Sequence, residues 1–346
     1  MRKLLLALLI LSAMVMPVSA AELLAPEVPE QGAEFMPDED ASFGDGLLHI
    51  LRSVLPKLRP DLEEGCTISV KVCSAVLLLS ILRTFSGSTK TVADIAGAAA
   101  IAALLLSGTN SMIRLASQTI LELGEYGKLL LPVMTAAMAA QGGVTASAAL
   151  YVGTAAFSAG LSTLISRLLI PMVWIFLALG VSGSAIGEDL LKKTRDMVKG
   201  MVSWCLKSLL TIFTTYMAIT GVISGSTDAA ALKATKVTIS TFVPVVGGIL
   251  SDASEAILVS AGLARSAAGL YGIFAILALF LEPFCRIGVH YLLLKATASL
   301  CALFGTKRIS ELVGDFSAAM GLLLGMTGSA CLLQLISTVC FMKGVG

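Results

Sequence analysis

The sequence predicts an all-α protein: a polytopic helical membrane protein in which some helices are broken or re-entrant. Of its 346 residues, 56% are hydrophobic and 14% are charged, whereas about a quarter of a soluble domain is charged. Long uncharged runs occupy residues 129–166, 168–187 and 316–341. Because ~20 apolar residues in a helix cross a bilayer core of ~30 Å, several runs are long enough to span. The short alternating strands of a membrane barrel are not indicated.

The N-terminus has the pattern of a secretory signal peptide. Arg2 and Lys3 precede the apolar run 4–16, and small residues follow at 17–21. This pattern predicts cleavage after about Ala20, so that residues 1–20 are removed. The alternative is an uncleaved first spanning helix. In both cases the chain from Ala21 onward is predicted to be extracytoplasmic.

Residues 21–64 are predicted to form an extracytoplasmic acidic linker and an amphipathic helix. The linker, 22–45, carries eight carboxylates and no Lys or Arg, a composition typical of disorder. Leucines at helical spacing follow, at positions 47, 51, 55, 58 and 62. They predict an amphipathic helix, interrupted at Pro56, that either lies on the membrane surface or docks a partner.

Residues 65–346 are predicted to form the multi-span transmembrane domain. Its first spans are 67–85 and 92–112. The uncharged run 129–166 would measure ~57 Å as one helix, so it must turn, and Gln141-Gly142-Gly143 is the expected position. The arm 129–140 is then too short to span and is interpreted as a half-helix or re-entrant arm.

Further spans are predicted on both sides of a basic loop. A span is expected at 168–187, Arg167 marks the boundary before it, and 188–199 carries several lysines and an arginine. Positive loops favour the cytoplasmic side, so this loop is placed there. A final helix is predicted at 316–341, and the total is eight to ten spans.

A weak internal repeat is also suggested. Pro132 and Pro244 lie 112 residues apart, and Pro171 and Pro283 have the same separation. The basic loop that closes at Gly200 has a counterpart in a second basic loop, 305–314. Two parallel repeats at 92–201 and 202–315 would place both basic loops on one side of the membrane.

The stretch "FVPVVGGILSD" carries the strongest candidate site. Pro244 removes a backbone donor, and Gly247 with Gly248 permits a sharp turn, so a broken helix is predicted. Asp252 and Glu255 share one helix face beyond the break. Since an isolated charge in the bilayer centre costs at least ~2.5–3.5 kcal/mol, these residues are candidates to line a pore or form a gate. The alternative is a break at the membrane surface, where both carboxylates meet water.

Other polar and small residues favour structural roles. Glu282 and Arg286 are four residues apart and predict a structural ion pair. Gly321 and Gly325 form a GxxxG pattern that lets helices approach closely. Seven cysteines without a CxxC motif are expected to act as small buried hydrophobes. The sequence predicts no metal site, no cofactor, no nucleic-acid binding and no enzymatic activity, because the corresponding motifs are absent from it.

The block "GSTDAAALKATKVTISTFVPVVGGILSDASEAIL", with the signal peptide, acidic linker and multi-span order, resembles the stage III sporulation protein AE family. The resemblance implies a multi-pass protein of the mother-cell membrane around the forespore, a component of a channel or secretion-like complex. The implied partners are other stage III sporulation membrane proteins, a secretion-type ATPase and ring-forming proteins in the intermembrane space. It implies no catalytic residue.

Three functions follow as hypotheses. The first is a membrane-embedded component that forms or gates a conduit between mother cell and forespore. The second is a non-conducting scaffold that recruits the other components. The third is a stand-alone secondary transporter, which the broken helices and the repeat suggest.

Replacing Asp252 by Leu tests the first hypothesis. We expect the variant to be inserted and abundant but unable to support spore formation, because the carboxylate would face a polar path. Counting heat-resistant spores measures this outcome. Normal sporulation by the variant would argue against a gate at this position.

Overall fold

The computed structural model describes residues 26–38, 41–85, 90–140, 144–186, 189–219, 267–304 and 307–345, and all secondary structure in these ranges is helical. A four-residue helix, α1, comes first. The helices are α1 (Glu30–Ala33), α2 (Phe43–Phe85), α3 (Lys90–Ala140), α4 (Val144–Leu164), a π-helical turn (Ile165–Leu169), α5 (Ile170–Ile186), α6 (Asp189–Ile219), α7 (Ala267–Phe304) and α8 (Lys307–Val345). The predicted helical fold class is confirmed.

Helix α2 is continuous for 43 residues, so the predicted interruption at Pro56 is wrong. The amphipathic segment and the first span form one helix that passes through Pro56 and Pro60. Proline weakens a helix by removing a backbone hydrogen bond, but here packing compensates. Ile50, Val54 and Leu58 recur every four residues and are buried, and the helix packs along α7.

The interpretation of 129–140 as a half-helix or re-entrant arm is also wrong. These residues are the last turns of α3, a 51-residue helix that contains Pro132. Helix α3 ends at Ala140 and α4 begins at Val144, on either side of the predicted turn. The arm looked short because the charged residues before it, such as Lys128, were taken as the end of a membrane segment.

The predicted boundary at Arg167 is a π-helical turn inside a longer helix. Residues 165–169 adopt the π conformation and α5 continues from Ile170. Because Pro171 has no N–H, it cannot bond the Arg167 carbonyl in the α-helical pattern. A π turn is one way in which a helix absorbs such a lost hydrogen bond. Residues 144–186 therefore form one continuous helical unit with a π turn inside it.

Both predicted basic loops are mostly helical. Asp189 begins α6 and Lys307 begins α8, so that the basic residues of 188–199 and 305–314 lie in the first three turns of these helices. The sequence prediction failed here because the charged segments were interpreted as loops between helices. Leu, Lys, Arg and Glu are in fact good helix formers.

Part of the acidic linker is ordered, contrary to the prediction of disorder. Within residues 26–38, Phe35 is only 1% exposed. The Lys57 ammonium lies 4.5 Å from the centre of the Phe35 ring and pairs with Glu34. Gly32 lies against Leu279 of α7. These contacts fasten α1 to the bundle.

Helix α8 lies at the centre of the bundle. It packs against α3, α4, α5, α6 and α7, and 94% of its most apolar stretch is buried. The corresponding share is 61% for α7 and between 22% and 33% for the other long apolar helices. Residues 316–341, predicted as a final span, therefore belong to the helix that protein encloses most completely.

Five helices in the described ranges are long and apolar enough to cross a membrane. They are Phe43–Phe85, Val92–Met138, Ser147–Ile186, Ala268–Leu303 and Lys307–Met342. The predicted count of eight to ten spans refers to the whole chain, including residues 1–25 and 220–266 outside the described ranges, so it stays a prediction. The internal repeat stays a prediction. Pro244 is outside the described residues, and Pro171 follows a π turn whereas Pro283 lies within α7.

Gly153 and Gly160 of α4 provide a matched test of this packing. A Cβ at Gly153 would overlap the Tyr216 ring, whereas one at Gly160 meets nothing within 4 Å. We expect Gly153→Ala to lower the free energy of unfolding by about 1–3 kcal/mol, because overpacking displaces Tyr216. The 2.8 Å hydrogen bond that the Tyr216 hydroxyl donates to the Ala149 carbonyl would also be lost.

Equilibrium unfolding in mixed micelles measures this effect. Gly160→Ala is the control and should leave stability unchanged or raise it slightly, because alanine favours helix over glycine. Equal destabilisation by both substitutions would contradict the α4–α6 contact.

Candidate functional site

Polar side chains of the central helix find partners in the surrounding helices. The Ser317 hydroxyl donates to the Tyr291 carbonyl at 3.1 Å. The Gln334 amide donates to Ser158 Oγ at 3.1 Å. The Gln334 side chain occupies the space that a Cβ at Gly127 would take. A polar group in an apolar bundle is costly without a partner, so these bonds set where the helices can sit.

Farther along, the Ser337 hydroxyl donates to Thr154 Oγ1 at 2.9 Å, and both side chains are buried. Interhelical bonds of this kind contribute roughly 0.6 kcal/mol on average in membrane proteins. Together with the Gln334 bond, this contact fixes the register of α8 against α4.

Two ion pairs join α6 to the first turns of α8. The Lys192 ammonium lies 2.8 Å from Glu311, and Arg195 Nη1 lies 2.6 Å from Asp315 Oδ2. The second pair is well enclosed, with side-chain exposures of 11% and 10%. Gly180 of α5 makes room for it, because a Cβ there would lie 2.7 Å from Asp315 Oδ2.

The hydrogen bond with Glu311 and its charge raise the pKa of Lys192 above the usual lysine value. Arg195 also contacts Asp196 at 3.3 Å. Glu311 and Asp315 of α8, and Asp196 of α6 itself, thus each have a cationic partner on α6.

A cavity of about 370 Å³ opens beside these pairs, between α5, α6, α7 and α8. Its lining combines charged, polar and very small residues. They are Phe176, Lys192, Arg195, Asp196, Lys199, Tyr291, Lys295, Glu311, Gly314, Asp315, Ser317, Ala318 and Gly321. Gly314, Ala318 and Gly321 share one face of α8 at spacings of four and three residues. The space exists because these three side chains are small.

A second charged cluster joins α2 to α7. Arg286 Nε lies 3.1 Å from Asp61 Oδ1, and Arg286 Nη1 lies 3.7 Å from Glu282 Oε1. The predicted partner Glu282 is thus the more distant carboxylate. Asp61 is 5% exposed and precedes Arg286 by 225 positions, so no local spacing could reveal the contact.

Another ion pair joins the end of α2 to the beginning of α3. Arg83 Nε lies 3.0 Å from Asp94 Oδ1. The two residues occupy the last turn of α2 and the beginning of α3. Opposite charges on either side of a short connection would have been a usable sequence signal for this pair.

The predicted gate lies outside the described residues: Pro244, Gly247, Gly248, Asp252 and Glu255. Gly321 and Gly325 are both buried in α8. Gly321 lines the cavity, while the Gly325 carbonyl accepts a hydrogen bond from Ser329 Oγ at 2.7 Å.

In the described part of the chain the cysteines form no disulfide. Cys66 is exposed and Cys301 and Cys331 are buried. The same part has no group of three His, Cys, Asp or Glu residues placed to hold a metal ion.

Comparison with known proteins decides the family. The family model of stage III sporulation protein AE matches residues 39–344. The chain belongs to the stage III sporulation protein AE family. It is 22% identical over 216 residues to "Stage III sporulation protein AE" of Bacillus subtilis (strain 168). That alignment covers 61% of this chain and 53% of the relative, so the chain spans about half of the relative's length. No solved structure matches the chain.

The resemblance derived from the sequence is therefore confirmed at the level of the family. The cavity and the ion pairs that join α6 to α8, α2 to α7 and α2 to α3 all lie inside the matched range 39–344. With the apolar helices, family membership makes the chain a multi-pass membrane component in a sporulation context.

The Arg195–Asp315 pair can be tested by removing one charge at a time. We expect Arg195→Ala to lower the free energy of unfolding by about 3–5 kcal/mol, because it leaves Asp315 enclosed without a cation. The double replacement Arg195→Met with Asp315→Leu should recover most of the loss, since a buried ion pair can be exchanged for apolar packing.

Lys193→Ala is the control, because Lys193 is exposed two positions away on the same helix. Its effect should stay within about 0.5 kcal/mol. Denaturation in mixed micelles measures all three variants. A loss for Arg195→Ala no larger than that of Lys193→Ala would contradict the ion pair.

Proposed function

We propose that this protein is a membrane-embedded component of the sporulation complex that links mother cell and forespore, where it forms or gates a conduit. It is multi-pass in the mother-cell membrane, with its mature N-terminus extracytoplasmic. Its partners are other stage III sporulation membrane proteins, a secretion-type ATPase and ring-forming proteins of the intermembrane space. It acts without catalysis and without a cofactor.

The observation that carries this proposal is the placement of charge among apolar helices. The Arg195–Asp315 pair is enclosed, and Asp61, the partner of Arg286, is buried, in a bundle that contains five helices apolar enough to cross a membrane. Ionisable residues within membrane helices are rare because they are costly, and they commonly mark pathways or sites of interaction. The ion pairs therefore support a role in a pathway or in contacts with partners.

The centre of the described bundle is occupied by α8 rather than by an open path. Its most apolar stretch is 94% buried, and its side chains bond to α4 and α7. A conduit therefore runs beside this bundle in our proposal. Either another part of the chain or a neighbouring subunit supplies the rest of its wall.

The filled centre also favours the second function, a scaffold without a conduit. In that case the chain would hold the other components of the complex in place, and no water-filled path would follow its helices. The two functions differ in whether part of this chain faces a water-filled path inside the membrane. A stand-alone transporter differs from both, because the purified chain alone would then move a solute across vesicles.

Cysteine labelling separates the conduit from the scaffold. Single cysteines are placed at each position of 240–258 in a chain whose native cysteines are replaced, and a membrane-impermeant thiol reagent is applied from either side. A conduit predicts labelling of one face of this segment, at a helical period. A cysteine at Leu323, which is fully buried in α8, is the negative control, and one at exposed Lys193 is the positive control.

Labelling that is absent along 240–258, while Lys193→Cys reacts, would contradict the conduit and support the scaffold. Each variant must also sustain spore formation in a host that lacks its own copy. This requirement ensures that the labelled protein is the working one.

A further inference from the structure

Among the residues that the structure describes, no carboxylate pairs with two of the cations that line the cavity between α5, α6, α7 and α8. Among its lining residues, Lys192 and Arg195 are engaged by Glu311, Asp315 and Asp196. In the described chain, Lys199 and Lys295 form no ion pair. Four cations face three carboxylates, so the lining carries an excess of positive charge.

Lys295 is the less expected of the two lysines. It lies in Ala268–Leu303, a helix apolar enough to cross a membrane. Lys295 is exposed, and an unpaired ammonium in such a helix is unfavourable unless water or a bound anion solvates it. Tyr291 precedes Lys295 by one helical turn and lines the same cavity, so its hydroxyl is available as a further donor.

The shape of the cavity fits a ligand rather than a packing defect. Its volume of about 370 Å³ falls in the range of small-molecule sites, roughly 300–1,000 Å³. The floor is formed by Gly314, Ala318 and Gly321. Three small residues on one face of the most enclosed helix keep this volume open.

We propose that this cavity binds a phosphate group, held by Lys199 and Lys295 with the Tyr291 hydroxyl. Lysine binds phosphate as a point charge with three rotatable donors. The phosphate belongs either to an anionic lipid headgroup or to a soluble phosphorylated compound. This site does not depend on whether the chain forms a conduit.

The test uses the full chain in nanodiscs and measures the thermal unfolding midpoint. In one arm the lipid is phosphatidylcholine alone and pyrophosphate is added, with sodium chloride at equal ionic strength as the reference. In the other arm phosphatidylglycerol replaces part of the lipid. Because binding to the folded state stabilises it, we expect a rise of about 2 °C or more in at least one arm.

Charge variants show whether the cavity is responsible. Lys199→Gln with Lys295→Gln should remove the rise and weaken pyrophosphate or lipid binding about tenfold or more, because charge-assisted hydrogen bonds are lost. Lys193→Gln with Lys207→Gln is the control. It removes the same charge from exposed positions of α6 and should retain the rise.

A volume variant tests the site with both lysines kept. Gly321→Leu should fill the cavity and abolish binding, whereas Gly160→Leu, at an open position of α4, should not. A rise with pyrophosphate alone identifies a soluble ligand, and a rise with phosphatidylglycerol alone identifies a lipid. No rise in either arm, or an equal rise in the site variants and their controls, would overturn the proposal.

Discussion

The enclosure of α8 by protein is the constraint on which the rest of the structure depends. An apolar helix in a membrane can be surrounded by lipid at no cost, so burial against protein must come from close packing and interhelical bonds. Glycines at 127 and 180 supply the space for Gln334 and Asp315. Because α8 is surrounded by protein, its polar side chains are satisfied either by a neighbouring helix, as Ser337 is, or by the backbone of α8 itself, as Ser329 is.

Charge then fixes the arrangement of the helices around that centre. The Arg195–Asp315 and Arg286–Asp61 pairs join segments that are 120 and 225 residues apart in sequence. Enclosed ion pairs add little net stability, because desolvation offsets most of their attraction. Breaking one is costly, however, so each pair disfavours any other register of α6 on α8 or of α2 on α7. The clusters therefore specify the bundle more than they stabilise it.

Composition and periodicity predicted the helical membrane class, and the 39–344 match confirms the family that the motif around Phe242 to Asp252 suggested. Helix boundaries were predicted less well. Pro56 was read as an interruption and residues 129–140 as a separate short arm, yet both lie inside long continuous helices that tertiary packing sustains. Asp61 and the cavity could not be predicted, because they depend on contacts between distant helices. Glu282 was assigned to Arg286 by local spacing, while the nearer carboxylate came from α2.

Apolar sequence alone does not distinguish a helix that faces lipid from one that faces protein. The central claim is that α8 faces protein. It is tested most directly by photolabelling the native chain in a bilayer with a lipid-soluble carbene probe and mapping the adducts by mass spectrometry. The structure predicts labelling at exposed Leu78, Phe85 and Ile175, and little along 316–341. Labelling of 316–341 as heavy as that of the α2 and α5 positions would contradict it.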